Sequence, residues 1–340
     1  MTAQGLAETK RRRIRNVTIA VAAVGAVLVA GIGTANASDR GKWGKHHKSP
    51  GASASASRSA SAAPTASAVP SKTASSSANA TATPSKTSSS AAGGAGVTLP
   101  PANAPFDYQI GSPYTPPAGV QVVSRDHAES PAAGLYNICY VNGFQAQPEE
   151  LSSWKANHDD LLLKNGGSYV VDGDWNEVLL DTSTAAKRDA LTKIVGAWMD
   201  SCAAKGFKAV EVDNLDSWTR SKSLLTQANA VAYATSLAGY AHAKGLAIAQ
   251  KNTVEIASVG KSQVGFDFAI AEQCADYEIS SGTPECQGFV DAYGAHVIVI
   301  EYDNSHYQQA CTRYGGTLSI IQRDVDVTAP GSSSYVYKAC

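Results

Sequence analysis

The sequence predicts an α/β fold: a (β/α)8 barrel as a single catalytic-size domain, preceded by a long low-complexity segment. Three observations carry this. Eight short apolar runs rich in Val and Ile recur between Phe106 and Asp324, and most end in a polar or charged pair. Helical patterns lie between several of them, an alternation that argues for a parallel sheet covered by helices. No GxGxxG or GxxxxGK[ST] follows the first run, so an open nucleotide-binding sheet is the poorer match to eight strands in one domain.

The chain begins MTAQGLAETKRRRIRN, a basic cluster, followed by a run from Val17 to Gly33 that is apolar apart from Thr18, and then by Ala35 and Ala37. This reads as a secretory signal over residues 1–37, cleaved after Ala37. An uncleaved anchor is the alternative, because a run of this length just spans a bilayer core of about 30 Å. Residues 38–97 are mostly Ser, Ala, Thr, Pro and Gly with scattered Lys. Such a segment buries too little apolar surface to offset its ordering entropy and is expected to be a disordered tether. His46 and His47 lie in it among basic residues and read as a solvated patch rather than a metal tract.

Residues 98–340 form the folded domain. Its expected strands are Phe106–Ile110, Val120–Asp126, Leu135–Asn142, Ala209–Asn214, Leu246–Asn252, Phe266–Cys274, His296–Asp303 and Thr317–Asp324. A helix ahead of Gly206 places Leu191, Ile194, Val195 and Trp198 on one face, and Gly206 stops it. An Ala-rich helix ending at Gly245 repeats the arrangement. Trp154 and Trp198 read as helix-face core.

Charge is divided along the chain. Residues 1–98 hold 12 Lys and Arg against 2 Asp and Glu, which leaves 16 basic and 27 acidic side chains in the remainder, a net of about −11. A domain this acidic repels nucleic acid and attracts cations, so a polyamine or cationic polysaccharide is the partner the charge suggests. All 6 cysteines fall in the domain. An even number in an exported chain implies disulfides, and proximity in sequence pairs Cys274 with Cys286, Cys311 with Cys340 and Cys139 with Cys202. No CxxC or Cys/His cluster has zinc-ligand spacing. No metal or organic cofactor is expected, and a monomer is the default.

Barrel strands open at their C-terminal ends into the active-site mouth. Asp126, Asp213, Lys251, Glu272, Glu301 and Asp324 occupy such ends and are expected to converge on one rim. Asp213 and Glu272 close the fourth and sixth strands. Two carboxylates facing each other over a cleft suffice for glycoside hydrolysis, one protonating the leaving oxygen and the other acting as nucleophile or base. Glu211 lies one layer deeper on the strand of Asp213, where it raises a neighbour's pKa as a like charge or pairs with Lys251.

Four motifs, YNICYVNGFQAQ (Tyr136–Gln147), VEVDNLDSW (Val210–Trp218), AQKN (Ala249–Asn252) and AIAEQC (Ala269–Cys274), resemble the secreted barrel enzymes of glycoside hydrolase family 114, the endo-α-1,4-polygalactosaminidases. The resemblance runs from Phe106 to Asp324. It implies a catalytic pair on Asp213, the Asp of the DN motif, and Glu272, the Glu of AxAE. The chain departs from the family's usual EPDN and EEC, reading EVDN and EQC. The implied substrate carries protonated amines, which Asp126, Asp216, Glu301 and Asp324 would bind by ion pairs. Asn214, Asn252, Lys251 and Asp174 complete the expected polar surface. Tyr136, Tyr140, Trp175, Trp218 and Tyr302 are the candidate sugar platforms. Two other readings compete: a Schiff-base lyase using Lys251, disfavoured by its acidic surroundings, and a tethered lectin-like barrel that binds a cationic polymer without cutting it.

Overall fold

The computed structural model describes residues 96–280 and 282–340. The signal segment 1–37 and all but the last two residues of the linker 38–97 lie outside the described residues. Eight parallel strands form the body of the fold: β1 (Phe106–Tyr108), β2 (Val122–Asp126), β3 (Tyr136–Asn142), β4 (Ala209–Asp213), β5 (Ala247–Lys251), β6 (Phe268–Glu272), β7 (Val297–Glu301) and β8 (Ser319–Arg323). They pair in chain order, and a ninth, β9 (Tyr337–Ala339), adds antiparallel to β8. All eight expected runs are strands.

Both faces of these strands are covered, which is why they read as apolar runs rather than alternating ones. Phe106, Tyr108, Ile138, Ala209, Ala249, Phe268, Ile270, Ile300 and Ile321 point inward as one buried cluster. The alternate residues, among them Val141, Val210, Val212, Ile248, Ala271 and Val299, pack outward against the helices. Side chains of period two thus separate an inner core, which ends at the mouth, from an outer one.

The helices of seven residues or more are α1 (Leu151–Asn157), α2 (Ala185–Lys205), α3 (Gln227–Ala243), α4 (Glu285–Tyr293) and α5 (Asn304–Tyr314), and short helical turns over residues 254–264 connect β5 to β6. The Thr184 side chain caps α2 by accepting the Lys187 N–H at 3.3 Å. At α3, Thr226 and Asn229 form a reciprocal capping box. Gly206 (φ 96°) and Gly245 (φ 73°) take the left-handed conformation that ends a helix. Trp154 and Trp198 meet edge to face with centroids 6.3 Å apart, closing α1 onto α2.

The (β/α)8 pattern departs from regularity in three connections. Residues 109–121 and 127–135 carry no helix. The first contains Pro113, Pro116 and Pro117, which lack N–H donors and exclude the helical region for the residue before each; the second is too short for a crossover helix. Between β3 and α2 the chain instead expands, with Gln145–Ala146, Val171–Asp172 and Glu177–Leu179 forming a small antiparallel sheet. These short strands escaped the sequence reading because none is long enough to show a period.

Disulfides join Cys139–Cys202, Cys274–Cys286 and Cys311–Cys340, and no described cysteine is free. They fasten β3 to α2, the exit of β6 to α4, and α5 to the C-terminus. No helix among the described residues is long and apolar enough to cross a membrane.

The β1–β8 seam is closed by side chains. Arg323, fully buried, pairs with buried Asp107 at 3.2 Å and donates to the Tyr108 carbonyl, while the Tyr337 hydroxyl donates to the Phe106 carbonyl at 3.0 Å. Removing one partner of a buried pair strands the other charge. Arg323→Leu is therefore expected to lower the unfolding free energy by about 3–5 kcal/mol, read as a lower urea midpoint.

Candidate active site

The C-terminal ends of β4, β5 and β6 bring four ionisable side chains together. Inward parity on these neighbours places Glu211 and Asp213, Lys251, and Glu272 side by side. The Lys251 ammonium, 1 % exposed, lies 3.1 Å from Glu211 Oε1, 3.3 Å from Asp213 Oδ1 and 3.2 Å from Glu272 Oε2. It also donates to the Tyr108 hydroxyl at 3.1 Å.

Glu211 is sealed below the mouth, with Tyr108 donating to Oε1 at 2.8 Å and Ser124 to Oε2 at 2.7 Å. Asp213 and Glu272 are open to solvent, their side chains 20 % and 23 % exposed. The Tyr140 hydroxyl donates to Asp213 Oδ2 at 2.7 Å and the Asn214 backbone N–H to Oδ1 at 2.9 Å. Asn252 clasps Glu272 twice: Nδ2 donates to Oε2 at 3.0 Å, and Oδ1 accepts the Glu272 backbone N–H at 2.8 Å. The Tyr302 hydroxyl donates to Glu272 Oε1.

Asp213, Lys251 and Glu272 are each followed by a residue with positive φ: Asn214 (66°), Asn252 (48°) and Gln273 (56°). The chain must turn sharply out of the barrel there, and Asn tolerates the left-handed region better than most residues.

Electrostatics separate the groups. Burial pushes the Glu211 carboxyl up, against Lys251 and with Asp213. Burial acts the same way on Asp213, but Lys251, Tyr140 and the Asn214 N–H outweigh it and hold Asp213 below the ordinary aspartate range. Burial disfavours the Lys251 ammonium too, yet Asp213, Glu272 and Glu211 outweigh it and raise Lys251 well above the ordinary lysine value. Lys251 is therefore a fixed cation, not the free amine that a Schiff-base lyase needs. Burial, reinforced by the carboxylates, raises the phenols of Tyr108, Tyr140 and Tyr302, so all three remain donors.

Around this centre, Glu177 Oε2 accepts the side-chain amides of Asn142 at 2.8 Å and Asn214 at 3.3 Å. That contact lays the Val171–Leu179 hairpin beside the mouth, with Trp175 at its turn, 58 % exposed. Asp174 lies in the same turn, its N–H donating to Asp172 Oδ1 at 3.0 Å. Arg220 pairs with Asp216 at 2.8 Å and with Asp172 at 2.7 Å, tying this hairpin to the loop after β4. Asp216 is thereby engaged by a cation of the protein itself. Asp126 ends β2 on the same rim and caps its own turn through the Ala128 N–H at 2.9 Å.

Three expected cleft residues stand elsewhere. Tyr136 opens β3 at the opposite end of the barrel, where its hydroxyl donates to the Thr98 carbonyl at 2.6 Å. Glu301 has outward parity and is buried beneath the loop after β6, accepting the Ala275 N–H at 2.9 Å. Asp324, past the end of β8, accepts from the Thr328 N–H at 2.9 Å and the Val336 N–H at 3.2 Å, and so organises the C-terminal loop. Conversely, Tyr108, Ser124 and Glu177 were not foreseen. Strand parity, counted back from the mouth, would have indicated the first two.

The profile of the glycoside-hydrolase family GH114 matches residues 86–340. The chain belongs to family GH114. It is accordingly a glycoside hydrolase. Among solved structures, Aspergillus fumigatus Ega3 in complex with galactosamine superimposes with a TM-score of 0.56 at 20 % identity, covering 72 % of this chain and 98 % of that one. The glycoside hydrolase domain of PelA from Pseudomonas aeruginosa gives a TM-score of 0.47 at 15 % identity, over 68 % and 98 % of the two chains. No curated protein sequence matches the chain. The likeness to Ega3 shows that this GH114 chain shares that enzyme's fold.

Lys251 lowers the Asp213 pKa, so its removal must raise it. In Lys251→Met the acid limb of the pH–kcat/KM profile is expected to move to higher pH, with activity at neutral pH reduced at least about tenfold. An unmoved limb would show that Asp213 is not the group titrating there.

Proposed function

We propose that this protein is a secreted endo-acting glycosidase that cleaves internal α-1,4-galactosaminidic bonds of a cationic polysaccharide, with Asp213 and Glu272 as the carboxylate pair. The observation that carries the reading is that Lys251 holds both carboxylates through one nitrogen. Asp213 Oδ1 and Glu272 Oε2 are consequently no farther apart than the sum of their two distances to it, 6.5 Å. That ceiling coincides with the lower edge of the range of about 6.5–9.5 Å that leaves room for an attacking water between two carboxyls, so the two oxygens lie at or inside that edge, which favours retention through a covalent intermediate.

In this mechanism Asp213, kept ionised by Lys251, attacks the anomeric carbon while Glu272 protonates the departing glycosidic oxygen. The Asp213–sugar ester forms as the C–O bond to the leaving chain breaks. Glu272, now a carboxylate, takes a proton from water, which attacks the same carbon and releases Asp213. Tyr302 and Asn252 hold Glu272 for both steps, and Tyr140 and Asn214 hold Asp213.

The substrate assignment rests on charge and family. Three carboxyl groups share one ammonium at the centre. The mouth therefore carries surplus negative charge, and the domain a net of about −11, which suits a polymer of protonated amino sugars. Trp175, exposed on the neighbouring hairpin, offers a face for stacking. The galactosamine named with Ega3 is such a sugar. The signal expected over residues 1–37, the tether expected over 38–97 and the three disulfides support a site of action outside the cytoplasm, with a monomer as the proposed acting form.

Reducing-end release from α-1,4-linked galactosamine polymer tests the reading. The full chain should shorten the polymer internally with the α-configured product appearing first by NMR. Asp213→Asn and Glu272→Gln should each lose about 10²–10⁴-fold in kcat with unchanged circular dichroism. Binding without release would overturn the endo-glycosidase assignment, and initial β-product would overturn the double displacement.

A further inference from the structure

One buried acid has no part in this chemistry. Glu301 is 0 % exposed, its Oε1 accepts the Ala275 N–H at 2.9 Å, and its Oε2 is buried without a hydrogen-bond partner. The sulfurs of Cys274 and Cys286 lie within 4.8 Å of the carboxyl. They are bonded to each other, so they supply no thiolate for a metal.

The segment that Glu301 grips is the one that carries Glu272 out of β6. Consecutive residues of β7 and its exit hold it at successive points. The Ile300 carbonyl accepts the Gln273 N–H at 2.8 Å, Glu301 accepts that of Ala275, and Tyr302, on the inner face, donates to Glu272 itself. Gln273 between them is left-handed, with φ 56°. A non-glycine residue there persists only when its surroundings enforce it.

We propose that Glu301 is a positioning residue for Glu272: its carboxyl anchors the Gln273–Ala275 turn to β7 and so fixes Glu272 opposite Asp213. The proposal rests on the assignment of Glu272 as acid and base. The groups facing Glu301 are Asp276 and Tyr277 after β6, Asp303 after β7, and His306 on α5, which lies 3.2 Å from Asp276 and 3.6 Å from Asp303. None supplies Glu301 with a cation of its own. Burial, with Asp276 and Asp303 adding to it and the Ala275 N–H opposing, pushes its carboxyl up to about 8. Glu301 thus anchors the turn as a neutral acid. Its folded pKa is raised, so the stabilising form is complete below the ordinary glutamate value and is lost as pH rises through about 8. An ionised Glu301 would be a buried unpaired charge, and the turn must move to hydrate it.

The test compares the full chain with Glu301→Gln and Glu301→Ala. Two readouts are followed against pH: protection of the Ala275 amide from hydrogen exchange, which needs no substrate, and kcat on galactosamine polymer. In the wild type, Ala275 protection should fall above about pH 8, whereas Glu301→Gln keeps an acceptor and cannot ionise. At about pH 9 the Gln variant should show roughly tenfold greater protection, since one unit above its pKa a group is about one-tenth protonated, and its alkaline loss of kcat should be smaller. Glu301→Ala should lower kcat more than it changes KM at every pH. Identical protection profiles in wild type and Glu301→Gln, or wild-type kcat in Glu301→Ala, would overturn the proposal. Protection that tracks Glu301 in a protein that leaves the polymer uncut would support the anchor and overturn the substrate reading instead.

Discussion

The site depends on one buried ammonium. Lys251 is 1 % exposed and has three carboxyl groups within 3.3 Å. Burying a lone cation costs several kcal/mol, and burying or crowding three carboxylates without one costs more. Neither set is stable in this place without the other. A lysine fits better than an arginine would: its compact head presents three donors about a single nitrogen, while a planar fork favours paired contacts with one carboxylate. Its position on β5, between the strands that bear Glu211 and Asp213 on one side and Glu272 on the other, lets one charge set the spacing of both.

Backbone geometry supports the same arrangement. The residues after Asp213, Lys251 and Glu272 all have positive φ, so the chain leaves the barrel abruptly and these three side chains stay on the regular part of their strands. The side chains at two of these turns are used as well. Asn252 clasps Glu272, and Asn214 bonds Glu177 and Asn142 across to the hairpin of the β3–α2 excursion. Local strain at these turns is offset by hydrogen bonds that only short amides in this conformation can make.

Much of this was legible in the residues. The eight strands announce themselves because both their faces are buried, and the disulfide pairs because their partners are adjacent in the folded connections. The motifs around Asp213, Lys251, Asn252 and Glu272 fall at strand ends for the same reason. What misled was treating every strand end as equivalent. Glu301 follows inward Ile300 and precedes inward Tyr302, so it points to the helices. Tyr136 begins its strand instead of ending it, and Asp324 lies past Arg323, whose inward place closes the seam. Parity could have sorted Glu301 and Asp324, and position along the strand Tyr136. The hairpin that presents Glu177 and Trp175 could not have been foreseen, because its strands are two or three residues long and their pairing is set by tertiary contacts.

Sharing Lys251 also offers a physical account of how one glutamate would serve in turn as acid and base in the proposed reaction. In the proposed double displacement, esterification of Asp213 removes one anion from beside the ammonium as Glu272, giving up its proton, becomes another. Lys251 then has Glu211 and Glu272 as its remaining ionisable partners. Its attraction, no longer shared with Asp213, falls more strongly on a Glu272 that has just given up its proton and must act as a carboxylate toward water. Hydrolysis returns the charge to Asp213 and redistributes the attraction. Glu211 is the element that makes this cycle affordable to the fold: sealed by Tyr108 and Ser124, it keeps the ammonium in place throughout, so the changes of charge above it need no movement of the chain.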